Sequence, residues 1–124
     1  MCLKDPKSTA LQFNEYINNQ DIEGIRNLIT EDYTFIDSSG KIEKGKELNI
    51  KNWKHFFDQY PDYKHAFTRI ESRNNLVVLI GYSTCSYEPL DGPAIWTAII
   101  KNDLIAKWQI YDDTKENRNN LGIK

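Results

Sequence analysis

Cysteine is scarce: 124 residues hold two, Cys2 near the N-terminus and Cys85 in an expected strand. Spacing alone implies no bridge between them, so both are expected as reduced thiols. Histidine is equally rare, and His55 and His65 stand ten residues apart without close Cys, His or Glu companions. That spacing does not suit zinc, and no metal site is expected. A surplus of positive charge is missing too: 16 Lys and Arg face 18 Asp and Glu, a formal charge of −2. Without a basic stripe, nucleic acid is not an expected partner. No run reaches the roughly 18 apolar residues of a membrane span, and Met1–Pro6 lacks the apolar centre of a signal segment. The chain is therefore expected to be soluble and cytoplasmic. Internal repeats, low-complexity segments and linkers are also absent. With 40% hydrophobic residues, residues 1–124 are expected to fold as one domain that buries about two-thirds of its unfolded surface.

The pattern that is present changes period partway along the chain. Asp5-Pro6 signals a helix start, and Ala10, Phe13, Tyr16 and Ile17 recur at helical spacing, which predicts a helix from Lys7 to Asn19. Asp21 can cap a second helix with Ile22, Ile25, Leu28 and Ile29 on one face; Gly24 weakens it by roughly 1 kcal/mol, so packing must hold it. Tyr33-Thr34-Phe35-Ile36 predicts a strand that ends at Asp37 before the turn Ser38-Ser39-Gly40. Trp53, Phe56, Phe57 and Tyr60 mark a third helix between Gly45 and Pro61. Alternation then begins at Tyr63, and Asn74-Asn75 turns the chain into Leu76–Ile80. Ile95–Ile100 and Leu104–Tyr111 follow, joined by Asn102-Asp103, which suits a two-residue primed turn. Helices first and four antiparallel strands last predict an α+β domain with helices on one face of a bent sheet.

This order of elements resembles the NTF2-like superfamily, and within it the SnoaL-like and ketosteroid-isomerase-like proteins. The resemblance is carried by Asn19-Gln20-Asp21-Ile22-Glu23-Gly24-Ile25, Glu31-Asp32-Tyr33-Thr34-Phe35-Ile36-Asp37, Gly45 and Tyr60-Pro61-Asp62. Further pieces are Leu104-Ile105-Ala106-Lys107-Trp108, Asp112 and Asn120-Leu121-Gly122. It implies a cone: N-terminal helices packed on a strongly curved, mainly antiparallel sheet around a deep apolar pocket, frequently in a homodimer formed through the outer sheet face. A small apolar or aromatic molecule is the implied ligand, with no metal or organic cofactor.

In the isomerases of this family an aspartate at the end of the first strand is the general base, and Asp37, with Gly40 three residues later, matches it. Their oxyanion hole is a tyrosine on the first helix and a protonated aspartate on the penultimate strand, positions that correspond by spacing to Phe13 and Trp96. Phenylalanine offers no donor, and losing one costs on the order of 3 kcal/mol of transition-state stabilisation. Ordinary steroid isomerisation is thus disfavoured. The resemblance implies instead a cofactor-free proton transfer of isomerase, cyclase or dehydratase type on a carbonyl-containing ligand, the alternative being a non-catalytic carrier or an association module.

Candidate site residues follow from parity and from that resemblance. Tyr33, Phe35 and Asp37 share one strand face. Asp37 is either a desolvated base with a raised pKa or a turn residue that accepts backbone hydrogen bonds. Asp112 is either a second pocket carboxylate or, beside Asp113, a plain loop charge. His65 shares a face with Tyr63 and is either a ligand contact or a packed strand residue. Trp96 and Trp108 are expected near the pocket, Trp108 as ligand platform or as core. Phe13, Tyr16, Trp53 and Phe57 complete the expected ligand contacts, while Tyr82, Cys85 and Tyr87 are candidates for a dimer face.

Overall fold

A computed structural model describes residues 5–123; Cys2 lies outside that range. Helix α1 spans Pro6–Asn18, with Asp5 accepting from the Lys7 N–H at 2.9 Å, and α2 spans Ile22–Leu28, capped by Asp21 on the Gly24 N–H at 2.9 Å. A Cβ at Gly24 would stand 2.5 Å from the Tyr16 ring. Glycine there lets the two helices touch, which is the packing that offsets its poor helical propensity.

Strand β1 covers Ile29–Ile36 and begins directly after α2. It is longer than Tyr33–Ile36, because Ile29 pairs with Ile105 across a bulge instead of ending the helix face. A three-residue strand β2, Ile42–Lys44, pairs back on β1 and leads through Gly45, at φ 107°, into α3, Lys46–Gln59. The four expected antiparallel strands are β3 Lys64–Arg73, β4 Leu76–Thr84, β5 Gly92–Lys101 and β6 Leu104–Asp112. Cys85 falls just beyond β4. Asn102 and Asp103 sit at φ 53° and 62°, the left-handed pair that a primed hairpin turn demands. A short helix α4, Lys115–Asn120, closes the described chain.

The sheet order is β2-β1-β6-β5-β4-β3, antiparallel except where β1 and β6 run parallel. On edge strand β3 the free backbone of His65 is satisfied by a side chain: Asn18 of α1 donates to the His65 carbonyl at 3.0 Å and accepts from the His65 N–H at 2.8 Å. This fixes α1 across the concave face. There Phe13, Ile17, Ile25, Tyr33, Leu79, Trp96 and Trp108 form the main core. The convex face carries a smaller core, Val78, Ile80 and Ile95, covered by Leu121 and Ile123 of the same chain. Tyr82 and Tyr87 are exposed. Among the described residues no helix is long and apolar enough to cross a membrane.

Candidate functional site

Between α3 and the concave sheet lies a cavity of about 530 Å³. Register explains its walls: Phe35 pairs with Trp108, Ala98 with Trp108, Trp96 with Ile110, and Ala94 with Asp112, so these side chains share one face across β1, β6 and β5. From α3, Trp53 and Phe56 close the opposite side, with Trp53 stacked on Phe57 at 5.4 Å. Tyr63 and His65 of β3 enter from the far edge. The buried end consists of Trp96, Trp108 and His65; Asp37, Asp112, Ser38 and Ser39 stand at the open end.

Of the residues anticipated from sequence, Asp37, Asp112, Phe35, Trp53, His65, Trp96 and Trp108 line this cavity. Phe13, Tyr16, Tyr33 and Phe57 do not. Phe13 supports Trp108 from behind in an edge contact at 4.8 Å and, with Tyr33, fills the core beneath the cavity floor. Tyr16 covers Gly24 between the helices. Sequence reasoning did not count Phe56, Tyr63, Asn14, Ser83 or the Asp91–Pro93 segment. Phe56 lies one helical turn from Trp53, a signal that was available. Asn14 meets His65 across 51 residues, which no local pattern records.

His65 is 5% exposed and ringed by Tyr63, Phe67, Trp96 and Trp108. Its Nδ1 stands 3.0 Å from Asn14 Oδ1 and its Nε2 2.7 Å from the Tyr63 hydroxyl. With an amide oxygen on Nδ1, that nitrogen carries the proton and Nε2 accepts from Tyr63. Burial pushes the imidazole down to about 3, so it is neutral. Burial likewise pushes the Tyr63 phenol upward, the Ser83 hydroxyl offsetting part of the effect.

Asp37 differs from the raised, desolvated base among the expectations. Burial does push its carboxyl up, but the Ser39 hydroxyl, the Lys41 and Ser39 N–H groups and the Lys41 charge outweigh it and hold the group below its ordinary value. All three donors converge on Oδ1, from Ser39 N at 2.9 Å, Ser39 Oγ at 2.6 Å and Lys41 N at 3.0 Å. The turn alternative describes this residue, which organises the β1–β2 hairpin at the cavity mouth.

Asp112 and Asp113 separate by strand parity. Asp113 is gripped by Arg118 through Nε–Oδ1 at 2.7 Å and Nη2–Oδ2 at 3.0 Å, which ties α4 to the sheet and lowers the Asp113 pKa. Asp112 faces the cavity instead. Among the four carboxylates that line it, Asp37, Glu43 and Asp91 each accept a hydrogen bond, whereas the Asp112 side chain accepts none within the described residues.

Among the cavity-lining residues two further buried polar atoms lack partners: the indole nitrogens of Trp96 and Trp108 each expose less than 1 Å² and have no hydrogen-bond partner. A buried donor left so costs about 1–3 kcal/mol. No group of three His, Cys, Asp or Glu among the described residues is placed to hold a metal ion.

A curved six-stranded sheet wrapped over helices, with a cavity at its open end, defines an α+β cone of the NTF2-like kind. The profile of the SnoaL-like domain matches residues 10–108, and the chain belongs to that family. No curated protein sequence matches it. Among solved structures it is similar to an NTF2-like protein of unknown function from Cytophaga hutchinsonii, at 15% identity and TM-score 0.74 over 98% of this chain and 97% of that one. A candidate SnoaL-like polyketide cyclase from Shewanella putrefaciens is 14% identical, TM-score 0.77, over 98% and 88% of the two chains. An LEH-like epoxide hydrolase of M. tuberculosis is 13% identical, TM-score 0.77, over 87% and 82%. At these identities the likeness concerns the fold.

Proposed function

We propose that this chain binds a small, flat, largely apolar molecule bearing a carbonyl or comparable oxygen, held in the cone between α3 and the sheet. The observation that carries this reading is the aromatic wall of Phe35, Trp53, Phe56, Trp96 and Trp108 around about 530 Å³ of space. That volume falls within the range of small-molecule sites, and rings on both sides favour a planar ligand. A candidate SnoaL-like polyketide cyclase on the same fold is in keeping with such a ligand class.

All three tryptophans of the chain line the cavity, so intrinsic fluorescence reports on its occupancy. Titration with 2-tetralone, a two-ring ketone, is expected to change the emission saturably at one site. A linear, non-saturating response would count against the reading.

The uncommitted carboxylate of Asp112 favours a second reading, in which the bound ligand also loses a proton. Asp112 at the mouth would take a proton from a C–H at the ligand's outer end, the electron pair passing into the adjacent carbonyl, and return it to another atom. Incorporation of deuterium beside the carbonyl of 2-tetralone in D₂O is then expected to run faster with the protein than in buffer. Asp112→Asn should return it to the buffer rate, with Asp37→Asn retaining most of the acceleration. A wild-type rate equal to buffer would leave binding alone.

A further inference from the structure

We propose that the corner of the cavity between β2 and α3, formed by Glu43, Asn49 and Asn52, receives a protonated amine, so that the ligand carries a positive charge at one end of its apolar body. This rests on the small-molecule reading above and adds to it the charge of the ligand and the wall that recognises it.

Asn49 is 2% exposed and lines the cavity. Its amide nitrogen is committed to the backbone around it, donating to the Gly45 carbonyl at 2.8 Å and the Glu43 carbonyl at 3.1 Å, with the Tyr33 carbonyl at 3.5 Å. Three carbonyls around that atom fix which branch of the carboxamide is nitrogen and occupy both of its hydrogens. The Oδ1 branch accepts from nothing among the described residues, and it is not closed off as the indole nitrogens of Trp96 and Trp108 are. Asn52, also on the cavity wall, donates through Nδ2 to Glu43 Oε2. Glu43 pairs with Phe35 across β1 and β2, which puts both on the cavity face. The corner is thus dominated by acceptors and carries one negative charge.

The rest of the lining has the same sign. Asp37, Asp91 and Asp112 line the cavity as well, and no lysine or arginine does among the described residues, although the chain has 16. The basic residues nearest in sequence are engaged elsewhere: Lys46 stands 3.7 Å from Glu31, Lys44 has the opposite strand parity to Glu43 and acts on Asp32, and Lys41 acts on Asp37. A carboxylate or phosphate entering here meets repulsion without a counter-charge. An ammonium group brings three donors and the opposite charge, which answers the Asn49 oxygen and the Glu43 carboxylate together. The rings of Phe35 and Trp53, 6.3 Å apart on the adjoining walls, add attraction for a cation that lies over either face. Asp112 stands on β6, separated from β2 by β1, and stays available to a carbonyl elsewhere on the ligand.

The test compares three molecules of nearly the same shape by tryptophan fluorescence: tetralin, the cation 2-aminotetralin and the anion tetralin-2-carboxylate. It is run at pH 8, above the ordinary histidine value of about 6.5, so that imidazole adds no positive charge. 2-Aminotetralin should bind at least tenfold more tightly than tetralin, and tetralin-2-carboxylate at least tenfold more weakly. Glu43→Gln, which keeps an acceptor for Asn52, should bring 2-aminotetralin close to tetralin and leave tetralin itself unchanged, which also shows that the variant is folded. Glu23→Gln on α2, which alters the net charge equally and lies outside the cavity, should preserve the preference. If tetralin binds and 2-aminotetralin binds no better, the amine corner is wrong and the apolar pocket stands. An advantage for 2-aminotetralin that survives Glu43→Gln undiminished would place the charge elsewhere and overturn the proposal. If none of the three binds, the small-molecule reading fails and takes the amine corner with it.

Discussion

Acidification from pH 6.5 to about pH 4 is expected to cost this protein about 3 kcal/mol of folding free energy, most of it through His65. The imidazole is held near 3 in the fold against an ordinary value of 6.5. Between those values the unfolded chain takes up a proton that the folded chain refuses. The contribution of His65 is therefore intact above about pH 6.5, is lost progressively as the pH falls, and levels off near pH 3. The carboxylates act in a different window. Asp37, Asp62 and Asp113 are lowered by their hydrogen-bond partners from an ordinary 3.8, so their contributions are lost only below that value. His55, the other histidine, is exposed. Urea denaturation at a series of pH values should show the slope in the wild type and a much flatter profile in His65→Gln, which keeps a donor and an acceptor for Asn14 and Tyr63. Parallel profiles for the two proteins would mean that His65 is not the buried neutral group described here.

Gly81→Ala is expected to destabilise the fold by about 3 kcal/mol or more, a large effect for a single methyl group. A Cβ at this position would stand 2.0 Å from the Ala66 carbonyl oxygen and 2.7 Å from the Phe67 Cα. Both are backbone atoms of the neighbouring strand, and no rotamer change moves them aside. The clash falls where the β3–β4 register shifts, between Phe67 and Arg69, so the absent side chain permits the bend that carries β3 over the helices. His65 and Tyr63 lie just before that bend. Forcing the strands apart should therefore also disturb the buried end of the cavity. Equilibrium unfolding in urea reads the loss as a lower midpoint; a change under 1 kcal/mol would show that the strands separate more easily than their packing implies. Gly40 offers the contrast, since a Cβ there meets open space and only its φ of 89° resists substitution.

Much of this architecture was legible because it is written in short periods. Trp53, Phe56 and Phe57 at helical spacing, alternation from Tyr63 onward and the Asn102-Asp103 turn each express a constraint local to one element. The parts that escaped are long-range or too short to show a period. Strand β2 has three residues, α4 is the polar run KENRNN, and nothing near Phe35 announces its parallel partner Trp108. The same division applies to the site. Residues on the aromatic stripes were found, but Phe13 and Tyr33, chosen on the same grounds, support the cavity from behind, because parity gives the face and not the depth. Asp37 turned on chemistry that sequence left open: the Ser39 and Lys41 donors make it a turn carboxylate. Asp112 became the more available acid only once Arg118 was seen to hold its neighbour.

The central claim is that the cone cavity, rather than any other surface, receives the small molecule. It is tested most directly by measuring 2-tetralone affinity in the wild type and in Ala94→Phe, which places a ring in the cavity from a half-buried position on β5. The account predicts at least a tenfold loss of affinity in a variant whose circular dichroism and urea midpoint match the wild type. Undiminished binding in that folded variant would place the ligand elsewhere and contradict it.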